Sequence, residues 1–182
     1  MTDIYQKAYT SVYSSELGDI LLAADETGLV GLWFDGQKYF ARTLPAEIVQ
    51  KSTPILAEAA RWLDLYFAGY VPDFTPPLHP AGSAFRKAVW DILLTIPYGQ
   101  TLTYGDIARQ LAAQQGGRVS AQAVGGAVGH NPISLIIPCH RVVGTNGSLT
   151  GYAGGLEKKV QLLELEHADM RGLFIPQKGS AL

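Results

Sequence analysis

Four prolines, Pro72, Pro76, Pro77 and Pro80, limit how this chain can fold more than any other feature. Each lacks a backbone N–H and fixes φ at about −65°, so neither a helix nor an inner strand can run through residues 71–82. The segment reads as a linker dividing the 182 residues into a domain over 1–80, a second over 81–171, and a loosely held tail over 172–182. A long surface loop within one domain is the alternative reading.

Before the prolines, Gly18–Ala24, the turn Asp25-Glu26-Thr27-Gly28 and Leu29–Phe34 form a hairpin pattern. Ser52-Thr53-Pro54 then supplies a cap and a first-turn proline, with Leu56, Ala60, Leu63 and Phe67 at helical spacing. After the prolines, Ser83 precedes an amphipathic run through Phe85, Val89, Ile92 and Ile96, stopped by Pro97-Tyr98-Gly99. Thr103-Tyr104-Gly105-Asp106 fits a capping box opening a short helix, and Gly116-Gly117 breaks it. Ser120 caps another, with Val124, Ala127 and Val128 on one side. Two short helices around a glycine turn suggest a helix-turn-helix, although many helical hairpins bind nothing. Residues 133–137 are a β-rich apolar run, expected to be buried, and a glycine-rich loop over 144–155 leads into a last helix with Leu156, Val160, Leu163 and Glu166 in register. The expected class is α+β: a small N-terminal α/β domain of sheet plus helix, then a mainly helical C-terminal domain.

Composition removes several classes of function. The start has no apolar signal stretch, and no run approaches the ~20 apolar residues of a membrane span. A cytoplasmic protein with no membrane association is expected. One cysteine forbids an internal disulfide, and four irregularly spaced histidines suggest no metal site. The net charge of −2 is uneven: residues 1–81 carry 5 Lys/Arg against 10 Asp/Glu, and residues 82–171 carry 8 against 6. The second half is the better candidate to face a polyanion.

The single cysteine, Cys139, is either filler or a nucleophile. It follows a proline and precedes His140 and Arg141, so a turn there would bring positive charge to the sulfur and favour the thiolate. Glu166, in the inward register of the last helix, is the best carboxylate to fix the imidazole, with a solvated helix-end charge as the alternative. Residue pattern alone gives an activated thiol, which hydrolases also use.

Pro138-Cys139-His140-Arg141-Val142-Val143 resembles the active-site signature of the O6-alkylguanine-DNA alkyltransferases. The resemblance extends from about Phe85 to Glu166, through Tyr104–Ala108, Ala123–Ala127, Asn131-Pro132 and Gly151–Leu156; the first eighty residues are similar only in general plan. It implies irreversible, stoichiometric transfer of a methyl or larger alkyl group from O6-alkylguanine, and from O4-alkylthymine, in double-stranded DNA to Cys139. No cofactor, metal or obligate protein partner is implied, and a monomer suffices. By the same resemblance His140 is the base, acting through a water, and Glu166 orients it. Asn131 holds the turn before the reactive segment, and Tyr104 donates to the flipped guanine. Cys139, Val142 and Ala153 meet the base through main-chain groups, Tyr152 sets pocket width, and Lys159 supports the surrounding loop. Reaching O6 requires extruding the base from the duplex. The second helix of the pair would enter the minor groove, with Ala123, Gly125, Gly126 and Gly129 allowing close approach. Each glycine costs a helix about 0.8–1 kcal/mol relative to alanine, and helix packing is the other explanation for them.

Two positions depart from the family pattern. Gln122 stands where an arginine commonly fills the gap left by the flipped base, and Arg118 is a nearby cation that could substitute. Ala153 replaces a hydroxyl residue found in some members, leaving only a backbone donor there. The competing functions are a cysteine hydrolase, which would turn over and need an oxyanion hole, and a non-catalytic DNA reader, for which the cysteine would be superfluous.

Overall fold

The structure, a computed structural model, describes residues 5–177. The chain forms two compact units: one takes the residues up to Ala81 together with Pro132–Ile136, and the other takes Gly82–Asn131 and the chain from Ile137 onward.

The first unit holds β1 (Lys7–Ser15), β2 (Gly18–Ala24), β3 (Leu29–Phe34), β4 (Glu47–Gln50) and helix α1 (Pro54–Phe67). The sheet order is β3-β2-β1-β4, with β1 antiparallel to β2, β2 antiparallel to β3, and β4 parallel to β1. Asp25 closes the β2–β3 turn, its carboxylate accepting from the N–H groups of Thr27 and Gly28. Gly28 is obligatory, because a Cβ there would lie 2.8 Å from the Pro77 carbonyl oxygen. Alternation along β1 sends Tyr13 to α1, where it stacks on Phe67 and donates to Asp64. Ala8, Ala23, Val30 and Trp33 gather elsewhere in a core with Tyr5. Thr53 caps α1 by accepting from the Leu56 N–H, as the sequence suggests.

Residues 71–82 contain no helix, but the stretch from Pro77 to His79 is hydrogen-bonded along β3. Leu29 donates to Pro77 and His79 donates back to Leu29. Leu32 likewise donates to Pro132, and Ser134 donates to Leu32. The outer edge of β3 is thereby paired rather than open.

The second unit contains α2 (Ala84–Leu93), β5 (Leu102–Thr103), α3 (Tyr104–Gln115), α4 (Ala121–Gly129), a 3₁₀ turn (Cys139–Arg141), β6 (Val142–Val143) and α5 (Leu156–Leu165). Ser83 and Ser120 cap α2 and α4, and Thr103 with Asp106 forms a reciprocal capping box on α3. The helix-turn-helix is α3 and α4, joined through Gly116 and Gly117, both at positive φ. Apolar positions at helical spacing bury Val89, Leu93, Ile107, Leu111, Val124 and Val128. The Trp90 indole donates to the Ala127 carbonyl at 2.9 Å, tying α2 to α4.

Two expectations need correction. Residues 133–137 are buried but are not a strand; only Ile133 bridges, to Leu32. Leu135 has φ of 69° and Ile136 donates to Ser134, which folds the run into a turn. The tail is not loose throughout either. Leu149 donates to Phe174, Phe174 donates to Gly147, and Leu173 packs on the buried cluster of Val143, Leu149 and Leu163. The rest of the tail, residues 178–182, lies outside the described residues. Among the described residues, no helix is long and apolar enough to cross a membrane.

Candidate active site

The site is assembled from the end of α4, the turn that follows it, and the loop leading into α5. Asn131 sits just beyond α4; its N–H donates to Val128 and its side-chain amide donates to the Ile137 carbonyl at 2.8 Å. That bond fixes the approach to Pro138. Cys139 opens the 3₁₀ turn at 4% exposure. Its surroundings are polar as well as close: the Asn131 side chain and the amides of Cys139 and His140 interact with the sulfur, and Lys159 faces it as a cation.

Burial nevertheless dominates and pushes the Cys139 thiol up, with Asn131, Lys159 and the two amides opposing it. The sequence expectation that His140 and Arg141 would favour the thiolate is therefore corrected. Arg141 is committed elsewhere, donating from Nε and both terminal nitrogens to Glu166 and the Ile96 carbonyl. The resting sulfur is a thiol that needs a base.

His140 is fully buried, and burial lowers its pKa despite the neighbouring Glu166. Its Nε2 lies 2.6 Å from Glu166 Oε1. With Nε2–H donating to that carboxylate, the neutral ring carries its lone pair on Nδ1. Glu166, the C-cap residue of α5, is 2% exposed, which excludes a solvated helix-end charge. It also accepts from Arg141 at 2.9 and 2.8 Å and from the Gly99 N–H at 3.0 Å. Burial acts to raise its pKa, but the His140 and Arg141 bonds outweigh that and hold it well below the carboxylate range.

Lys159 on α5 has no exposed surface; its ammonium donates to the carbonyls of Val142 and Thr150. Burial pushes its pKa down to about 8, with the Cys139 charge opposing the shift. The Tyr104 hydroxyl donates to the same Thr150 carbonyl at 3.0 Å, and burial and Cys139 raise its pKa to about 12. Tyr152 is buried, with its ring edge-on to His140, and the half-buried Ala153 follows it. Tyr104, Tyr152 and Lys159 all sense the charge of Cys139. Val142 lies on β6, where it pairs with Leu102.

Gln122, Ala123 and Gly126 are exposed on α4, Gly125 is half-buried, and Arg118 is exposed in the turn before α4. A Cβ at Gly126 or Gly129 would meet nothing within 4 Å, so packing within the chain does not explain those two glycines. Sequence reading missed the carbonyls of Thr150 and Ile96 and the amide of Gly99. Every residue carries such groups, so no side-chain pattern could have marked them.

The chain thus joins a small α/β unit to a unit with a helix-turn-helix and a buried thiol followed by a histidine paired with a glutamate. The chain belongs to the 6-O-methylguanine DNA methyltransferase family: the ribonuclease-like domain of that family matches residues 8–80 and its DNA binding domain matches residues 84–168. The methylated-DNA–protein-cysteine methyltransferase of Methanosarcina acetivorans is 45% identical over 159 residues, covering 87% of this chain and 97% of the relative. That of Mycobacterium leprae is 43% identical over 153 residues, covering 84% and 88%. A crystal structure of Mycobacterium tuberculosis OGT in complex with DNA superposes with a TM-score of 0.76 at 40% identity, covering 88% of this chain and 92% of that one.

Proposed function

We infer that this protein is a direct-reversal DNA repair protein that moves a methyl or larger alkyl group from O6 of guanine in duplex DNA onto Cys139, once per molecule. The observation that carries the reading is the Cys139–His140–Glu166 arrangement behind a helix-turn-helix, in a chain whose relatives are named for this activity.

His140 takes the thiol proton through an intervening water, and Glu166 and Arg141 keep its ring oriented. The thiolate attacks the alkyl carbon in line with the departing oxygen. The C–S bond forms as the C–O6 bond breaks, and the electron pair passes into the purine. The proton first taken from sulfur returns to the guanine, so the exchange balances with no outside reagent. Tyr104 donates to the base as charge accumulates there, exchanging its bond to Thr150 for one to the ring. Main-chain groups at Cys139, Val142 and Ala153 hold the base, and Lys159 supports the thiolate and the loop. Gln122 enters the gap left by the extruded base and Arg118 reaches the backbone, while Ala123, Gly125 and Gly126 allow α4 to approach the groove. Among the described residues, no group beside the thioether product could reverse it, so turnover is not expected. The same chemistry extends to O4-alkylthymine. The protein acts in the cytoplasm as a monomer with no obligate partner.

The test is mass spectrometry of protein mixed with duplex DNA carrying O6-methylguanine. One methyl on the peptide containing Cys139, stoichiometric with the lesion removed, is the expected result. Turnover beyond one equivalent would indicate a hydrolase, and tight binding without mass gain a DNA reader.

A further inference from the structure

Gly99 lies in the turn between α2 and β5, and two separate restrictions require a glycine there. Its φ is 76°, and Gln100 donates to the Pro97 carbonyl at 3.0 Å. That bond, with a positive φ at the third residue, is the pattern of a type II turn, which favours glycine at that position. The second restriction comes from the end of α5. A Cβ on Gly99 would lie 2.8 Å from the Glu166 carbonyl oxygen. The turn accounts for the φ; the close approach is a further demand, and Glu166 makes it.

The approach yields a bond to the carboxylate. The Gly99 N–H donates to Glu166 Oε2 at 3.0 Å. In a type II turn the peptide before the third residue is flipped relative to type I, so the turn type aims this N–H. Arg141 Nε also donates to Oε2, at 2.9 Å. Arg141 is itself tied to the same stretch of chain. It donates to the Ile96 carbonyl at 2.8 Å, and its guanidinium lies 5.7 Å from the centre of the Tyr98 ring. The Tyr98 hydroxyl in turn donates to the Leu165 carbonyl at 3.3 Å. With Oε2 held from this side, Oε1 stands 2.6 Å from His140 Nε2.

We propose that Gly99 is a positioning residue for the alkyl transfer: its amide, aimed by the turn, sets the Glu166 carboxylate so that Oε1 keeps His140 in the Nε2–H tautomer. The lone pair on Nδ1 then serves the proton that leaves the thiol. This deepens the transfer reading and rests on it. No bond is made or broken at Gly99, which acts through Glu166 alone.

The test is Gly99→Ala, which disfavours the turn and presses a methyl on Glu166, studied at a temperature where circular dichroism shows it folded. The tautomer is read without DNA, by heteronuclear NMR of the His140 ring nitrogens. Duplex affinity and the transfer rate at saturating O6-methylguanine duplex are read separately. The ring should move from the Nε2–H pattern toward a mixture of tautomers. The saturating rate should fall at least about tenfold, since small displacements of a reacting group are costly in rate, while duplex affinity holds. A folded variant with an unaltered tautomer or an unaltered rate overturns the proposal and leaves Gly99 a turn residue. Gly99→Asn tolerates a left-handed backbone better and still carries the Cβ, so it repeats the readings if the alanine variant does not fold. Should neither fold, the unaltered protein decides. Scalar coupling between the Gly99 amide nitrogen and the Glu166 carboxylate carbon, with His140 in the Nε2–H form, supports the proposal; absent coupling overturns it. If the unaltered protein takes no methyl from the duplex, the transfer reading fails, while the tautomer comparison still reports on Gly99.

Discussion

Lys159, wholly buried on α5, spends its ammonium on the carbonyl of Val142, three residues beyond the reactive sulfur. A lysine so far from water is costly unless its donors are used and an anion is near. Val142 and Thr150 use the donors, and Cys139, once ionised, is the anion. Lys159→Met keeps the stem and removes the charge. Transfer should fall at least about tenfold at pH 7, with the thiol profile displaced to higher pH, and iodoacetamide titration reads the displacement. An unmoved profile would confine Lys159 to holding the loop.

Glu166 gathers His140, Arg141 and the Gly99 amide. Glu166→Gln leaves the Arg141 guanidinium buried without its counter-charge, at a cost of about 3–5 kcal/mol. Urea unfolding should show that loss, and transfer should slow because the imidazole is no longer held. A change under about 1 kcal/mol would mean that water replaces the carboxylate, contrary to its 2% exposure.

Acid should unfold the protein in two overlapping stages. Burial depresses the His140 pKa below its ordinary 6.5, so below that pH the unfolded chain binds a proton that the folded one refuses. The Glu166 pKa is depressed below 4.5, which acts in the same sense at lower pH. Both contributions are present above the unfolded values and lost as pH falls. Urea midpoints should therefore decline from about pH 6.5 downward, more steeply below about 4.5. Glu166→Gln should flatten the lower stage; an equally steep decline in that variant would assign the stage to other carboxylates.

Gly126→Ala separates packing from recognition. Beyond the adjoining residues and the helix's own backbone, nothing lies within 4 Å of the added Cβ, and alanine favours a helix by about 0.8–1 kcal/mol. The variant should be more stable, yet bind duplex DNA several-fold more weakly if α4 enters the groove. Thermal melting and a titration with labelled duplex give the two readings. Equal affinity would turn that face of α4 away from DNA.

The proposed function puts Gln122, an uncharged side chain exposed on α4, into the gap that an extruded base leaves. Gln122→Arg should speed transfer from duplex DNA while leaving transfer from a free O6-alkylguanine base unchanged, because only the duplex substrate must be opened. An equal effect on both substrates would place position 122 outside the opening step.

Local chemistry was legible in the sequence, and long-range accommodation was not. The caps at Thr53, Ser83, Thr103 and Ser120 are as expected because a cap joins residues three apart. The pairing of His140 with Glu166 followed from helical register. Residues 133–137 misled because an apolar, β-branched run looks alike whether it extends or turns, and the positive φ of Leu135 depends on surroundings. Strand β4, with only Ile48 and Val49 apolar and lying parallel to β1, carries too little alternation to announce itself. The thiol departed from expectation because burial outweighs the groups that favour its ionised form; Arg141 is spent on Glu166, and the cation that faces the sulfur lies twenty residues on, at Lys159.

The bonds of Phe174 to Gly147 and Leu149 have a practical consequence. They clasp the strand of loop that runs on to Thr150 and Tyr152, so a protease nick between Arg171 and Phe174 would slacken the pocket wall while the helices stayed folded. A preparation clipped there would look intact by circular dichroism and still repair poorly, so fluorophores and affinity handles belong at the opposite terminus.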